Sequence, residues 1–242
     1  MDKSKQENSI VSYMGKCGNM IVPMMFKIKP DCMTLEDGEI GFDFTIDKKL
    51  TVVSGAILGQ TEFDVLYSLL KLKSNGSGFL NTSIYRVLTE MGKGTTGNNS
   101  KVCINALERL MKCKLTVQSM EGDKIIETSF IKFQRVDNGL IVEFDDVLCP
   151  IFEAQVKRVD FEVRKVLLGN ITKWMHLYFS LNKAYETDID VLYSLGGSCS
   201  KKNGLSYMVS KGLNQMLDVG YIRGFGFGGG STIIQVSHQN KG

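Results

Sequence analysis

Residues 170–238 read NITKWMHLYFSLNKAYETDIDVLYSLGGSCSKKNGLSYMVSKGLNQMLDVGYIRGFGFGGGSTIIQVSH. Ile171, Trp174, Leu177, Tyr178 and Leu181 recur at helical spacing and predict a long helix with one inward stripe. A short helix is expected over about Asp188–Leu195. A third is expected over about Lys202–Leu217, with Leu205, Val209, Gly212, Leu213, Met216 and Leu217 inward. Tyr221–Phe227 and Thr232–Val236 then read as two strands, with the glycines of Gly228–Ser231 at the hairpin tip. Three helices followed by a two-stranded hairpin is the layout of a winged helix. Such a fold offers the polar face of its third helix to the DNA major groove.

A more degenerate copy of this order lies upstream. Thr61 is the expected N-cap of a first helix carrying Phe63, Val65, Leu66, Leu69 and Leu70, with Asp64 completing a capping box. Ser74–Gly78 ends it by turn chemistry. Asn81 is expected to cap a second helix running to about Glu90, with Ile84, Val87 and Leu88 inward. Gly92–Asn99 reads as a turn, and a third helix over about Ser100–Lys112 buries Cys103, Ala106, Leu107 and Leu110. Leu115–Gln118, Lys124–Phe133 and Leu140–Phe144 read as strands. Asp145–Arg158 reads as a connecting helix that tolerates Pro150 in its first turn. The expected architecture is therefore α+β, with two tandem winged-helix domains. The divisions are an N-terminal segment at 1–44, partly strand or loop, a first domain at 45–158 and a second at 159–242. Ile40–Ile46 alternates like a half-buried strand, and Met20–Phe26 is apolar enough to pair as one.

At 242 residues the chain has room for two domains of ordinary size. No apolar run approaches the ~18 residues that span a bilayer, and MDKSKQENSIVSY lacks a signal-peptide core. The expectation is a cytoplasmic protein without membrane contact. The net charge is +3. Residues 151–242 carry 11 Lys and Arg against 7 Asp and Glu, whereas residues 1–150 carry 18 against 19. The basic excess thus lies in the C-terminal part, as expected if that part carries more of an electrostatic attraction to phosphate.

The face of the last long helix opposite its apolar stripe displays Asn203, Tyr207, Ser210, Lys211 and Asn214, with Ser198, Ser200, Lys201 and Lys202 leading into it. Lysines beside free helical N–H groups suit a phosphate. Asn pairs bidentately with adenine and Lys reaches guanine O6 or N7. Arg223, on a wing strand, is placed for the minor groove or a phosphate, and His238 lies just beyond the partner strand. In the upstream copy the corresponding candidates are Lys93, Thr95, Thr96, Asn98, Asn99, Ser100, Lys101, Asn105 and Arg109. Glu108 adjoins this face and would repel phosphate. An alternative use of the upstream copy is dimerisation or partner docking.

Other motifs fall short. Gly224–Gly229 matches GxGxxG but leads into a strand, with no βαβ unit around it. GKGTT around Lys93 lacks the GxxxxGK[ST] spacing. Glu143, Asp145 and Asp146 are read as a strand end and a helix start rather than a metal site. Trp174 and Tyr178 lie on the inward stripe and are core residues. Cys17, Cys32, Cys103, Cys113, Cys149 and Cys199 form no CxxC pair and the histidines number two, so zinc-finger spacing is absent. No cofactor and no enzymatic activity are expected.

Three stretches carry a family resemblance. LTVVSGAILGQTEFDVLYSLLKL (50–72) resembles the strand and helix that open the first winged helix of TrfA-like plasmid replication initiators. CINALERLMKCKLTV (103–117) is similar to their first recognition helix running into a strand. WMHLYFSLNKAYETDIDVLYSLGGS (174–198), with the basic helix and LDVGYI after it, resembles their second winged helix. The resemblance implies a sequence-specific double-stranded DNA-binding protein that binds origin repeats (iterons) and promotes melting of an adjacent A+T-rich segment. It further implies recruitment of the host replication initiator and replicative helicase, and a homodimer linked to plasmid copy control. The residues themselves leave two alternatives: a winged-helix transcriptional repressor, or a protein-docking module with no DNA role.

Overall fold

The computed structural model describes residues 25–28, 40–45, 48–54, 58–73, 77–119, 125–146, 148–182, 186–196, 202–228 and 233–238. Residues 20–24 of the apolar N-terminal run, 74–76 of the expected turn, the hairpin tip at 229–232 and the 197–201 segment lie outside them. The chain forms two compact units, one of residues 34–157 and one of residues 1–33 with 158–242. Both mix helix and strand, in an α+β arrangement.

In chain order the elements begin with β1 (Phe26–Lys27), β2 (Ile40–Thr45), β3 (Lys48–Ser54), β4 (Leu58–Gly59), α1 (Gln60–Leu72), β5 (Phe79–Thr82) and α2 (Ile84–Glu90). Then follow α3 (Gly97–Lys112), β6 (Lys114–Ser119), β7 (Ile125–Ser129), β8 (Ile131–Val136), β9 (Gly139–Phe144) and α4 (Leu148–Val156). The last are α5 (Phe161–Val166), α6 (Asn170–Asn182), β10 (Glu186–Asp188), α7 (Ile189–Gly196), α8 (Lys202–Asp218), β11 (Ile222–Gly228) and β12 (Ile233–His238).

In the 34–157 unit, α1 starts before the expected Thr61 cap. The Glu62 carboxylate accepts the Gly59 N–H at 2.7 Å, so a glutamate reaching backwards does the capping and Thr61 sits inside the helix. Asn81, expected to cap α2, lies in β5 instead. Leu80 and Thr82 are buried there, and Asn81 stands opposite Ile141 of β9. Ser83 takes over as the cap of α2, its hydroxyl accepting the Arg86 N–H at 3.3 Å. Helix α3 buries Cys103, Ala106, Leu107 and Leu110 against α1.

The expected single strand Lys124–Phe133 is two strands in two sheets. β7 closes an antiparallel sheet of order β2-β3-β6-β7, with Leu50 opposite Val117 and Val117 opposite Ile126. The backbone leaves that sheet where Phe130 is buried, its ring 4.8 Å from that of Phe152 on α4. β8 then joins a second sheet of order β5-β9-β8. The β8–β9 hairpin turns at Asp137, which holds a left-handed φ of 53° that short polar residues tolerate. Asp145 accepts the Leu148 N–H at 2.7 Å and starts α4, with Pro150 in its first turn where no N–H is missed.

In the other unit every residue of α6 from Ile171 to Phe179 is buried, including the expected stripe. Trp174 stacks on Tyr178 at 5.5 Å. Helix α8 lies against α6 with Leu205, Val209, Gly212, Leu213 and Met216 inward. Leu217, expected inward, is 37% exposed, because the stripe has rotated past it by the last turn. Buried Arg164, on the unforeseen helix α5, donates to the Lys173 carbonyl at 2.6 Å. The Tyr221 hydroxyl shares a hydrogen bond with Ser180 at 2.8 Å and its ring lies 4.5 Å from that of His176. Burial pushes this phenol up to about 12. Residues 25–28, placed by the sequence in a loose N-terminal segment, belong to this unit: Ile28 N–H donates to the Gly196 carbonyl at 2.7 Å. β10, β12 and β11 form a sheet in that order, Thr187 opposite Ile234 and Ile234 opposite Phe227.

The two units therefore run through one order: helix, strand, helix, long helix, strand, strand. In each three-stranded sheet the last strand lies in the middle. The 34–157 unit adds the β6–β7 hairpin between its long helix and its last two strands.

Candidate nucleic-acid interface

Along α8 the buried positions 205, 209, 213 and 216 leave Gly204, Tyr207, Lys211, Asn214 and Asp218 exposed. Steps of three and four place these residues in one stripe down the helix. Tyr207 is 71% exposed. Ser210 is half-buried beside the stripe and donates to the Ser206 carbonyl at 3.0 Å, so its hydroxyl is turned onto its own helix. Lys202 and Asn203 occupy the first turn of α8, though their side chains lie outside the described residues, as do Ser198, Ser200 and Lys201. Arg223 is exposed on β11, and His238 ends β12 opposite Ile222.

Along α3 the exposed positions are Gly97, Asn98, Lys101, Val102, Asn105 and Lys112. The Thr96 hydroxyl accepts the Asn99 N–H at 3.4 Å, and the Asn99 side chain donates to the Gly94 carbonyl at 2.7 Å. These bonds shape the approach to the helix: Thr96 and Asn99 hold the loop, while Lys93, Thr95 and Asn98 stand out from it, all exposed. Ser100 is half-buried. Arg109 is engaged with buried Glu62 at 3.5 Å, tying α3 to the start of α1. Glu108, the anionic neighbour of the stripe, lies 4.0 Å from Lys112 one turn on, which offsets its charge.

The hairpin β8–β9 adds residues that the sequence did not single out. Arg135 is exposed next to the turn, and Lys132 is exposed with Glu143 3.5 Å away. Part of the signal was present: IKFQ alternates apolar and polar residues, and Asp137-Asn138 separates it from the apolar run LIV. Tyr85, 64% exposed, and Arg86 are likewise exposed on α2. Of the acidic trio, Asp145 is committed to Leu148 N–H and to the Thr128 hydroxyl. Among the described residues no group of His, Cys, Asp and Glu is placed to hold a metal ion.

Chemically, each long helix presents a cation and an amide about one turn apart, with Asp218 at the far end of the α8 stripe and Glu108 beside Lys112 on α3. The cation and the amide can donate to phosphate and to base edges in a groove wide enough for a helix.

No family model matches the chain, and no curated protein matches it by sequence. Solved structures do match. The crystal structure of RctB domains 2-3, spanning 155–483 of that protein, superposes with a TM-score of 0.61 at 12% identity, covering 90% of this chain and 96% of that one. A selenomethionine derivative of domains 2 and 3 of RctB gives 0.60 at 10% identity, covering 91% and 96%. The likeness is therefore one of fold, and it extends through both units. It is to RctB, and the resemblance to TrfA-like initiators gains nothing from it. Among the described residues no helix is long and apolar enough to cross a membrane.

Proposed function

We propose that this chain is a replication-initiator-like protein that binds double-stranded DNA through two winged-helix domains and has no catalytic activity of its own. One observation carries the reading. The order helix, strand, helix, long helix, strand, strand occurs twice, each time with the last strand central, and each time the long helix exposes a Lys/Asn stripe. The fold shared with domains 2 and 3 of RctB, a replication initiator, supports the functional class. In this reading α3 and α8 enter major grooves, with Asn98, Lys101 and Asn105 from one and Tyr207, Lys211 and Asn214 from the other at the base edges. Arg135 and Arg223 on the hairpins meet phosphate or the minor groove. Binding to several repeats strains the duplex and lowers the cost of opening weakly stacked steps beside them. Host initiator and helicase recruitment, and a homodimer, follow as partners of the same role.

The test is selection of bound duplexes from a random pool, then binding to the enriched sequence over a salt series. A directly repeatable site of about two helical turns with a steep salt slope is the expected result. A single palindrome would make the protein a regulator. No enrichment and no salt-sensitive binding would refute the DNA reading and leave a protein-docking role.

A further inference from the structure

We propose that Lys73 and Cys149 are an oxidation-triggered cross-linking pair, in which a hydroperoxide oxidises the sulfur and the lysine amine then closes an S–N bond onto it. The pair stands on geometry. Lys73 closes α1, its N–H donating to the Leu69 carbonyl at 3.0 Å. Its Nζ lies 3.3 Å from Cys149 Sγ in the first turn of α4. Glu153, one turn further along α4, completes the group: Lys73 Nζ is 2.7 Å from Glu153 Oε1, and the Cys149 thiol donates to the same oxygen at 3.5 Å. The Phe144 ring, 5.3 Å from Nζ, covers the ammonium, and the lysine side chain is only 8% exposed. Nucleophile, amine and proton acceptor are thus held together before any reagent arrives, which raises their effective concentration.

The steps balance. The thiol sulfur attacks the hydroperoxide O–O bond, giving a sulfenic acid and, from hydrogen peroxide, water. Lys73 is an ammonium at rest and no nucleophile, so its proton passes to the Glu153 carboxylate. The free amine attacks sulfur, hydroxide leaves and takes up a proton as water, and a sulfenamide remains. Overall one thiol, one ammonium and one peroxide give one S–N bond, two waters and one proton. Sulfur loses two electrons and the peroxide gains them.

The local acid–base balance favours the resting group over the shifted proton, so the free amine forms only transiently, beside a sulfur already oxidised. Burial pushes the Cys149 thiol up against the opposing hydrogen bond from Lys73. Burial alone would lower the Lys73 ammonium, but its bonds to Glu153 and Cys149 leave it raised, while the bond from Lys73 holds the Glu153 carboxyl down. At neutral pH the resting group is thiol, ammonium and carboxylate, and oxidation speeds up as the pH rises toward the raised thiol value. The product fastens the end of α1 to α4 and releases Glu153 from its cation. Cys103 and Cys113, pushed up by burial to about 11 and about 12, serve as internal references that stay reduced.

The experiment treats the full chain with hydrogen peroxide in mildly alkaline buffer, blocks remaining thiols, digests it and weighs the peptides. The expected product joins the Lys73 and Cys149 peptides at a mass about 2 Da below their sum, is cleaved by dithiothreitol, and is absent from Lys73→Arg and Cys149→Ser. In Lys73→Arg, dimedone should instead trap a sulfenic acid at Cys149. The proposal is overturned if wild-type Cys149 stays alkylatable after peroxide, if it is oxidised while Lys73 remains free, or if the linked pair has any other mass. The wild-type peptides decide the matter on their own, so a folding defect in a variant leaves the test intact.

Discussion

Replacing Gly212 by alanine adds one methyl group where α8 packs tightly on Thr172 and Met175 of α6. The new Cβ would run into Met175 Cε and stand 2.9 Å from Thr172 Oγ1 and 3.4 Å from Thr172 Cα. Met175 could move its tip, but it is fully buried with neighbours on every side, and Thr172 is β-branched and buried with a fixed backbone behind it. Overpacking of this kind costs about 1–3 kcal/mol. The substitution also removes a glycine from a helix interior, worth up to about 1 kcal/mol in the other direction. With the full offset the net expectation is a loss of about 0–2 kcal/mol. Gly204, on the same helix, is the control: it is exposed and an added Cβ meets nothing within 4 Å, so Gly204→Ala should gain a few tenths to about 1 kcal/mol. Urea titration of both variants gives the comparison, provided the slope against denaturant is unchanged. If Gly212→Ala were as stabilising as Gly204→Ala, α8 would not lie as close to α6 as the structure has it.

Lys211→Ala should weaken DNA binding for all sequences and flatten the salt slope by about one, whereas Asn214→Ala should relax preference at one base pair by ~1–3 kcal/mol; binding of a randomised set of duplexes separates the two. Arg109→Ala should lower the thermal midpoint of the protein while leaving the salt slope of DNA binding in place, because its guanidinium is engaged with Glu62; a drop in slope equal to that of Lys211→Ala would refute this. Tyr221 titrates near 12 in the folded protein against about 10 when unfolded, so between those values the unfolded chain holds fewer protons and stability falls as pH rises. That loss, on the order of 2 kcal/mol, should shrink in Tyr221→Phe, read by denaturant midpoints on either side of pH 10.

Much of the fold is written in short-range pattern. The stripes of α3 and α8 bury one side so plainly that the sequence alone places Lys101, Asn105, Tyr207, Lys211 and Asn214 on the other. What escaped depends on distant partners. Glu186–Asp188 is three residues long and becomes a strand only because Ile233–Gln235 lies beside it. Ile125–Phe133 is rich in β-branched and aromatic residues along its length, so the passage from one sheet to another at Phe130, where the Phe152 ring packs, is not marked by local propensity. Thr61 and Asn81 are good caps in isolation, but Glu62 reaching back to Gly59 and Leu80 entering the sheet outweighed them. Arg109 looked like part of the polar face until α1 brought Glu62 to it.

Ile28 is bonded within the unit that ends the chain: its N–H meets the Gly196 carbonyl, and its own carbonyl accepts the Asn170 side-chain amide at 3.1 Å. Gly196 keeps no side chain there, since an added Cβ would come within 2.5 Å of Ile28. Seen along the chain, residues 34–157 are an insertion between two pieces of one body. During synthesis the segment around Ile28 leaves the ribosome long before the helices that receive it, so the 34–157 unit has the first opportunity to fold and the unit enclosing it must close last. A fragment cut at 158 would carry away the second long helix but leave behind the peptide that covers Gly196.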